Sequence, residues 1–251
     1  MSGPSTPPPP PELSITQLLP NMLTIAAVCA GVSAIRFGVH GNYVLAVQLI
    51  LAAAVLDGLD GRLARALDSQ SKVGAELDSL ADFVNFGVAP PLVVYFWGLQ
   101  SMPNIGWLAV LVFAVCCVVR LARFNVASNS ESAPADNRFF TGIPSPAGAL
   151  LVMLPLYLSF AVADQRILPS WMICLYMAVI GALMISKIPT WSFKAQKIPR
   201  ERVRYFFVGF ALLGAALLTF TWVSLAMLCV AYVAIVIVAL VNEKRRKTQE
   251  D

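Results

Sequence analysis

Asp57, Asp60, Asp78 and Asp82 form two closely spaced pairs, with Gly61, Ala64, Arg65 and Gly74 set among them. Four hard carboxylate oxygen donors are the ligand type that divalent cations such as Mg2+ or Mn2+ prefer, and a metal held this way can neutralise phosphate oxygens. At about 3.6 residues per helical turn, Asp57, Asp60, Gly61, Ala64 and Arg65 fall on one side of a helix. Gly74, Asp78 and Asp82 make an i, i+4, i+8 row on another. Two acidic faces can therefore meet. The interleaved small residues let a helix backbone or a ligand approach where larger side chains would block it, so one stripe can hold metal and substrate together.

The elements that carry these residues are apolar. Of the 251 residues, 58% are hydrophobic and only 13% charged, and the mean hydropathy is +0.74. An ordinary soluble domain is excluded. A hydrocarbon core needs about 20 residues per spanning helix, and eight stretches approach that length: 19–39, 43–60, 74–99, 107–126, 146–163, 170–187, 205–220 and 222–241. The second extends as one helix past the membrane surface to about Leu67. The expected fold is all-α, a polytopic membrane helical bundle of about eight transmembrane helices. Within such a helix each Asp costs roughly 2.5 to 3.5 kcal/mol on insertion scales, so four of them call for a cation or a polar cavity. Solvated helix ends would not explain why acids and small residues repeat on two helices.

With eight spans, one side of the membrane collects all of the 18 Lys and Arg residues except Arg36 and Arg166. Basic residues are retained in the cytoplasm, so both termini and the acidic cluster are expected on the cytoplasmic side. The net charge of +4 is then explained by topology and anionic headgroups, with Lys244–Lys247 as a lipid contact and no call for nucleic acid. Cys29, Cys116, Cys117, Cys174 and Cys229 lie inside spans without metal-ligand spacing and read as packing residues. His40 falls in a turn on the side away from the acids. Residues 1–17 carry Pro4 and the run Pro7–Pro11, which reads as a disordered or polyproline II tail.

Written as a pattern, the acidic segment is D-x2-D-G-x2-A-R-x8-G-x3-D-x3-D, which resembles the signature of the CDP-alcohol phosphatidyltransferase family. All eight fixed positions are filled: Asp57, Asp60, Gly61, Ala64, Arg65, Gly74, Asp78 and Asp82. The resemblance implies transfer of a phosphatidyl or related group from a CDP-linked donor to an alcohol, with release of CMP. It implies a six-helix catalytic core, divalent metal, Mg2+ or Mn2+ and two ions, on Asp57, Asp60, Asp78 and Asp82, and Asp82 as the base that takes the proton of the acceptor hydroxyl. Gly61, Ala64, Arg65 and Gly74 would line the donor nucleotide. Asn21 and Thr24, in a segment similar to the start of the family's first helix, would join them, unless they merely cap that helix.

Three further stretches, 79–91, 120–125 and 140–147, look like those of the branch of this family that uses L-serine. That resemblance implies CDP-diacylglycerol and L-serine as substrates, CMP as product, a homodimer, and a bacterial inner membrane. Arg120 and Arg123, at i and i+3, can face one pocket with Asn85, and are assigned to the acceptor or a donor phosphate. The alternative for the arginines is contact with lipid headgroups. Pro144 and Pro146 are expected to form a rigid entry to the fifth span, with Thr141 and Ser145 as caps or substrate contacts. The domain division is 1–17 tail, 18–187 catalytic core, 188–241 two additional helices after a basic loop, and 242–251 basic tail. Choline, inositol phosphate or glycerol phosphate as acceptor keeps the same chemistry. A divalent-cation transporter would use the same acids but leave the spacing of Gly61, Ala64, Arg65 and Gly74 unexplained.

Overall fold

The computed structural model describes residues 15–129, 139–162, 167–186, 189–191 and 203–250. The proline-rich run, Arg138, Arg166 and most of the basic loop after residue 187 lie outside the described residues, as do the side chains of Thr141 and Lys244–Lys247. The helices are α1 (Ile15–Val39), α2 (Tyr43–Ala66), α3 (Lys72–Asp82), α4 (Ala89–Gly98), α5 (Pro103–Asn129), α6 (Ser145–Val152), α7 (Leu154–Ala161), α8 (Ser170–Ile185), α9 (Val203–Thr219) and α10 (Thr221–Glu250). A three-residue strand, β1 (Phe139–Thr141), pairs antiparallel with β2 (Pro189–Trp191). The chain is a multi-pass helical membrane protein. Five described segments, Leu18–Val39, Tyr43–Ala66, Lys72–Gly98, Pro103–Ala127 and Thr221–Ala239, are long and apolar enough to cross a bilayer. The other three expected spans correspond to shorter helices: α6 with α7, α8, and α9.

Proline explains where the rods are broken or bent. Pro155, at the start of α7, has no N–H and frees the carbonyl of Leu151, four residues earlier; the Tyr176 hydroxyl of α8 donates to that carbonyl at 2.7 Å. The fifth span is thus two helices meeting at Met153. Between α3 and α4 the chain widens into a π-helical turn, Phe83–Val88. Pro90 and Pro91 cannot donate to the carbonyls of Phe86 and Gly87, and Ala89 instead donates five residues back to Val84. The result is one rod from Lys72 to Gly98 with an inserted residue just after Asp82. Pro144 caps α6 with extended backbone and Pro146 occupies its first turn, as expected.

The α2–α3 connection is built by its own caps. Ser71 is the N-cap of α3, its Oγ accepting from the Gly74 N–H at 2.9 Å. At the other end of the molecule Asn42 caps α2, accepting from the Leu45 N–H at 3.2 Å. There too Ser170 donates to the Gly98 carbonyl at 2.9 Å and lies 2.7 Å from Ser101, tying the start of α8 to the α4–α5 turn. At the acidic end the Asn125 amide donates to Ser79 at 3.0 Å, joining α5 to α3.

The helices pack as α1 on α2, α5 on α8 and α10 on α7, with α1 also touching α3, the π turn and α4. Ile50, Phe86, Leu99, Phe113, Met153, Leu156, Tyr157 and Met177 form the centre of the apolar core. Cys116, Cys117, Cys174 and Cys229 are buried free thiols in this packing, whereas Cys29 is exposed. Close approach is clearest at Gly31 of α1, where a Cβ would run into the Asn85 carboxamide and lie 3.5 Å from its Cα. Gly31→Ala is therefore expected to destabilise the protein by about 1 to 3 kcal/mol through overpacking. Gly209→Ala, whose Cβ would meet nothing within 4 Å, should be neutral or slightly stabilising. Thermal unfolding of both variants in detergent measures the difference.

Candidate functional site

The acidic pairs sit where the C-terminal part of α2 and α3 converge. Asp57 and Asp60 come from the last three turns of α2, Asp78 and Asp82 from the second half of α3. One carboxylate oxygen from each of Asp57, Asp60 and Asp78 lies within 4.8 Å of the other two. Asp82 approaches Asp57 closely enough for their carboxyl groups to share a hydrogen bond. The two faces read from the sequence do meet. Asp60 is almost wholly buried, at 3% exposure. Its Oδ2 accepts from the Thr24 hydroxyl at 2.5 Å, while Thr24 also lies 3.1 Å from the Pro20 carbonyl oxygen.

Two carboxylate oxygens, Asp57 Oδ1 and Asp60 Oδ1, are buried without a hydrogen-bond partner among the described residues. An orphaned carboxylate oxygen in an apolar setting costs free energy unless a cation or donor takes it. Oxygen donors at this spacing, with free lone pairs pointing inward, fit a divalent metal. The cluster can hold one.

A cleft of about 220 Å3 opens beside the acids, lined by Pro20, Asn21, Thr24, Asp60, Gly61, Ala64, Arg65, Ser69, Gln70, Ser71, Gly74, Ala75 and Asp78. All six positions singled out for the donor nucleotide, Asn21, Thr24, Gly61, Ala64, Arg65 and Gly74, are in this wall. Asn21 and Thr24 do not cap α1, because that helix starts at Ile15 and carries Pro20 in its interior; they are side chains of its second and third turns. Gly61 and Gly74 differ in what surrounds them. A Cβ on Gly61 would meet nothing within 4 Å, whereas one on Gly74 would lie 3.0 Å from Asn21 Oδ1 and 3.1 Å from Ser71 Oγ. Gly74 brings α3 against α1, and Gly61 leaves room in the cleft. The sequence reading missed Ser69, Gln70 and Ser71, although a polar run between the two halves of the motif was a usable signal.

The three residues assigned to the acceptor do not share one place. Arg120, half-buried, lies within electrostatic range of Asp82. Its Nη1 donates to Ser145 Oγ at 2.7 Å, and its guanidinium sits 5.9 Å from the Phe124 ring centroid. Ser145 therefore engages this arginine rather than capping α6. Arg123 is exposed and donates to the Ile185 carbonyl at 3.0 Å, at the C-terminus of α8. One helical turn does not return these two side chains to the same partner, because α8 offers Arg123 a free terminal carbonyl. Asn85 is fully buried beside Gly31, and neither amide atom has a partner among the described residues. The π turn after Asp82 carries it toward α1.

Comparison with known proteins agrees with this geometry. Residues 17–186 match the family model for CDP-alcohol phosphatidyltransferase. The chain is 38% identical over 229 residues to a CDP-diacylglycerol–serine O-phosphatidyltransferase of Mycobacterium leprae, an alignment covering 91% of this chain and 76% of the relative. Proteins of the same name from Mycobacterium tuberculosis and Helicobacter pylori are 39% and 37% identical, over 86% and 72% of this chain and 76% and 74% of theirs. With the motif filled, its acids clustered and the family model spanning most of the chain, this protein belongs to the CDP-alcohol phosphatidyltransferase family.

Proposed function

We propose that this protein transfers the phosphatidyl group of CDP-diacylglycerol to the hydroxyl of L-serine, giving phosphatidylserine and CMP. The observation that carries the reading is the convergence of three carboxylates within 4.8 Å on the edge of a cleft walled by the rest of the motif. The serine acceptor is supported by the names of the relatives, which are similar to this chain over most of its length.

Asp57, Asp60, Asp78 and Asp82 would hold the divalent metal, Mg2+ or Mn2+ and two ions. Bound there, it would neutralise the pyrophosphate and stabilise the departing CMP. Gly61, Ala64, Arg65 and Gly74, with Asn21 and Thr24, form the nucleotide wall: the glycines admit the donor close to backbone, and Arg65 offers a cation to a phosphate. Thr24 fixes the Asp60 carboxylate. Asp82 accepts the proton of the serine hydroxyl as its oxygen bonds to the phosphorus bearing diacylglycerol, and the bond from that phosphorus to the CMP oxygen breaks. Arg120 is placed to receive the serine carboxylate. Arg123, held on the end of α8, is assigned to positioning that helix.

The catalytic core is residues 18–187, with 188–241 and the tails as additions. The bacterial relatives support an inner-membrane location, and the distribution of Lys and Arg supports the site and both termini facing the cytoplasm. A homodimer is the expected assembly.

Purified protein in detergent should release CMP from CDP-diacylglycerol only when L-serine and Mg2+ or Mn2+ are present. Release that depends on glycerol 3-phosphate, inositol phosphate or choline instead would overturn the acceptor, and metal uptake without CMP release would overturn the enzyme. Asp82→Asn should lower turnover by roughly 100-fold or more, the loss of a general base, and chelation by EDTA should abolish release until Mg2+ or Mn2+ is restored.

Gly61→Ala separates binding from folding. Because its methyl would enter open space, thermal stability should hold while KM for CDP-diacylglycerol rises. Gly74→Ala should disturb both, since it presses on Asn21 and Ser71.

A further inference from the structure

Tyr232 lies on α10, well beyond residues 17–186 that match the family model. Its hydroxyl oxygen is buried and has no hydrogen-bond partner among the described residues. The same hydroxyl is within electrostatic range of the Arg120 guanidinium, which reaches Ser145 at 2.7 Å and faces Asp82. α10 is brought there by its packing on α7 and α6, with the Trp222 ring 4.7 Å from Phe160 and 6.5 Å from Tyr157.

A buried phenolic O–H without an acceptor is costly, and Arg120 offers only donors. Arg120 could donate to the phenol oxygen but cannot accept the phenol's own proton, so the Tyr232 O–H is left without an acceptor. What satisfies both is an anionic acceptor placed between them. A carboxylate has lone pairs for a guanidinium N–H and a phenol O–H at once. Ser145 can complete the same set, because a hydroxyl that accepts from Arg120 still has its own proton to give.

We propose that Tyr232 is an acceptor-binding residue, its hydroxyl donating to the carboxylate of the amino-acid substrate beside Arg120, so that the C-terminal helix forms one wall of the acceptor site. This rests on the serine reading of the proposed function. It gives α10 a part in specificity, since an alcohol without a carboxylate would leave the buried phenol O–H without an acceptor.

The test is steady-state kinetics of full-length Tyr232→Phe, which removes only the hydroxyl. KM for L-serine should rise roughly tenfold or more, as expected for a lost hydrogen bond to a charged group, with KM for CDP-diacylglycerol and the thermal midpoint unchanged. Tyr157→Phe removes another buried hydroxyl without a partner among the described residues and should leave KM for serine unaltered. If the wild type uses serine and Tyr232→Phe keeps its KM within twofold, this inference is wrong and the serine reading stands. Equal rises in both KM values, or a serine effect of the same size in Tyr157→Phe, would reduce Tyr232 to packing and overturn it. A wild type that ignores serine removes the serine reading and this inference with it.

Discussion

Like charges held together in a low-dielectric setting are the constraint on which this structure turns. Two carboxylates no more than 4.8 Å apart repel by at least about 3 kcal/mol at an effective dielectric near 20, and more where the surroundings are drier. A divalent cation among them reverses the sign of the dominant interaction. A bound divalent cation would therefore stabilise the cluster beyond what its side chains achieve among themselves. The surrounding helices hold the acids in place: Thr24 of α1 takes one oxygen of Asp60, and Ser71 and Gly74 bring the start of α3 against α1.

The same economy governs the backbone. A membrane interior penalises every unpaired carbonyl, yet α1, the α3–α4 rod and the α6–α7 pair all contain prolines. Two of these interruptions come with a local rearrangement. Tyr176 takes the Leu151 carbonyl that Pro155 frees, and the π turn moves the Ala89 bond to Val84 ahead of Pro90 and Pro91. That turn also has a consequence for the site. By inserting one residue after Asp82 it sends Asn85 toward Gly31 instead of continuing the row of Gly74, Asp78 and Asp82.

The residues legible in the sequence were those whose roles follow from helical spacing. Asp57, Asp60, Asp78, Asp82, Gly61, Ala64, Arg65 and Gly74 lie on two straight helices, so period alone predicts their faces. Arg120 with Arg123, and Asn85 with Asp82, were read with the same ruler and diverged. Arg123 found the carbonyl of Ile185, and Asn85 followed a π turn that no α-helical period describes. Ser145, named from the sequence as a cap or substrate contact, and Tyr232 were out of reach as neighbours of Arg120 for a different reason. They belong to helices remote in sequence, and only the packing of α5, α6, α7 and α10 brings them near Arg120. Eight spans were legible as hydropathy, whereas the division of the fifth at Met153 depends on how Pro155 is accommodated.

The placement of Asp82 also bears on the geometry of the proposed reaction. Asp60 and Asp78 line the nucleotide cleft, but Asp57 and Asp82 do not. Asp82 instead faces Arg120, on the side built by α5 and α6. A displacement at phosphorus needs the attacking and leaving oxygens roughly in line, on opposite sides of the reacting atom. In the proposed reaction, a donor seated in the cleft with its CMP toward Gly61 and Gly74 would present the opposite face of its phosphorus toward Asp82. A serine hydroxyl arriving from the Arg120 side would then meet both the proposed base and the phosphorus. On this proposal the acid cluster would lie between leaving group and nucleophile, so that one motif on two helices could serve both substrates while different parts of the fold recognise each.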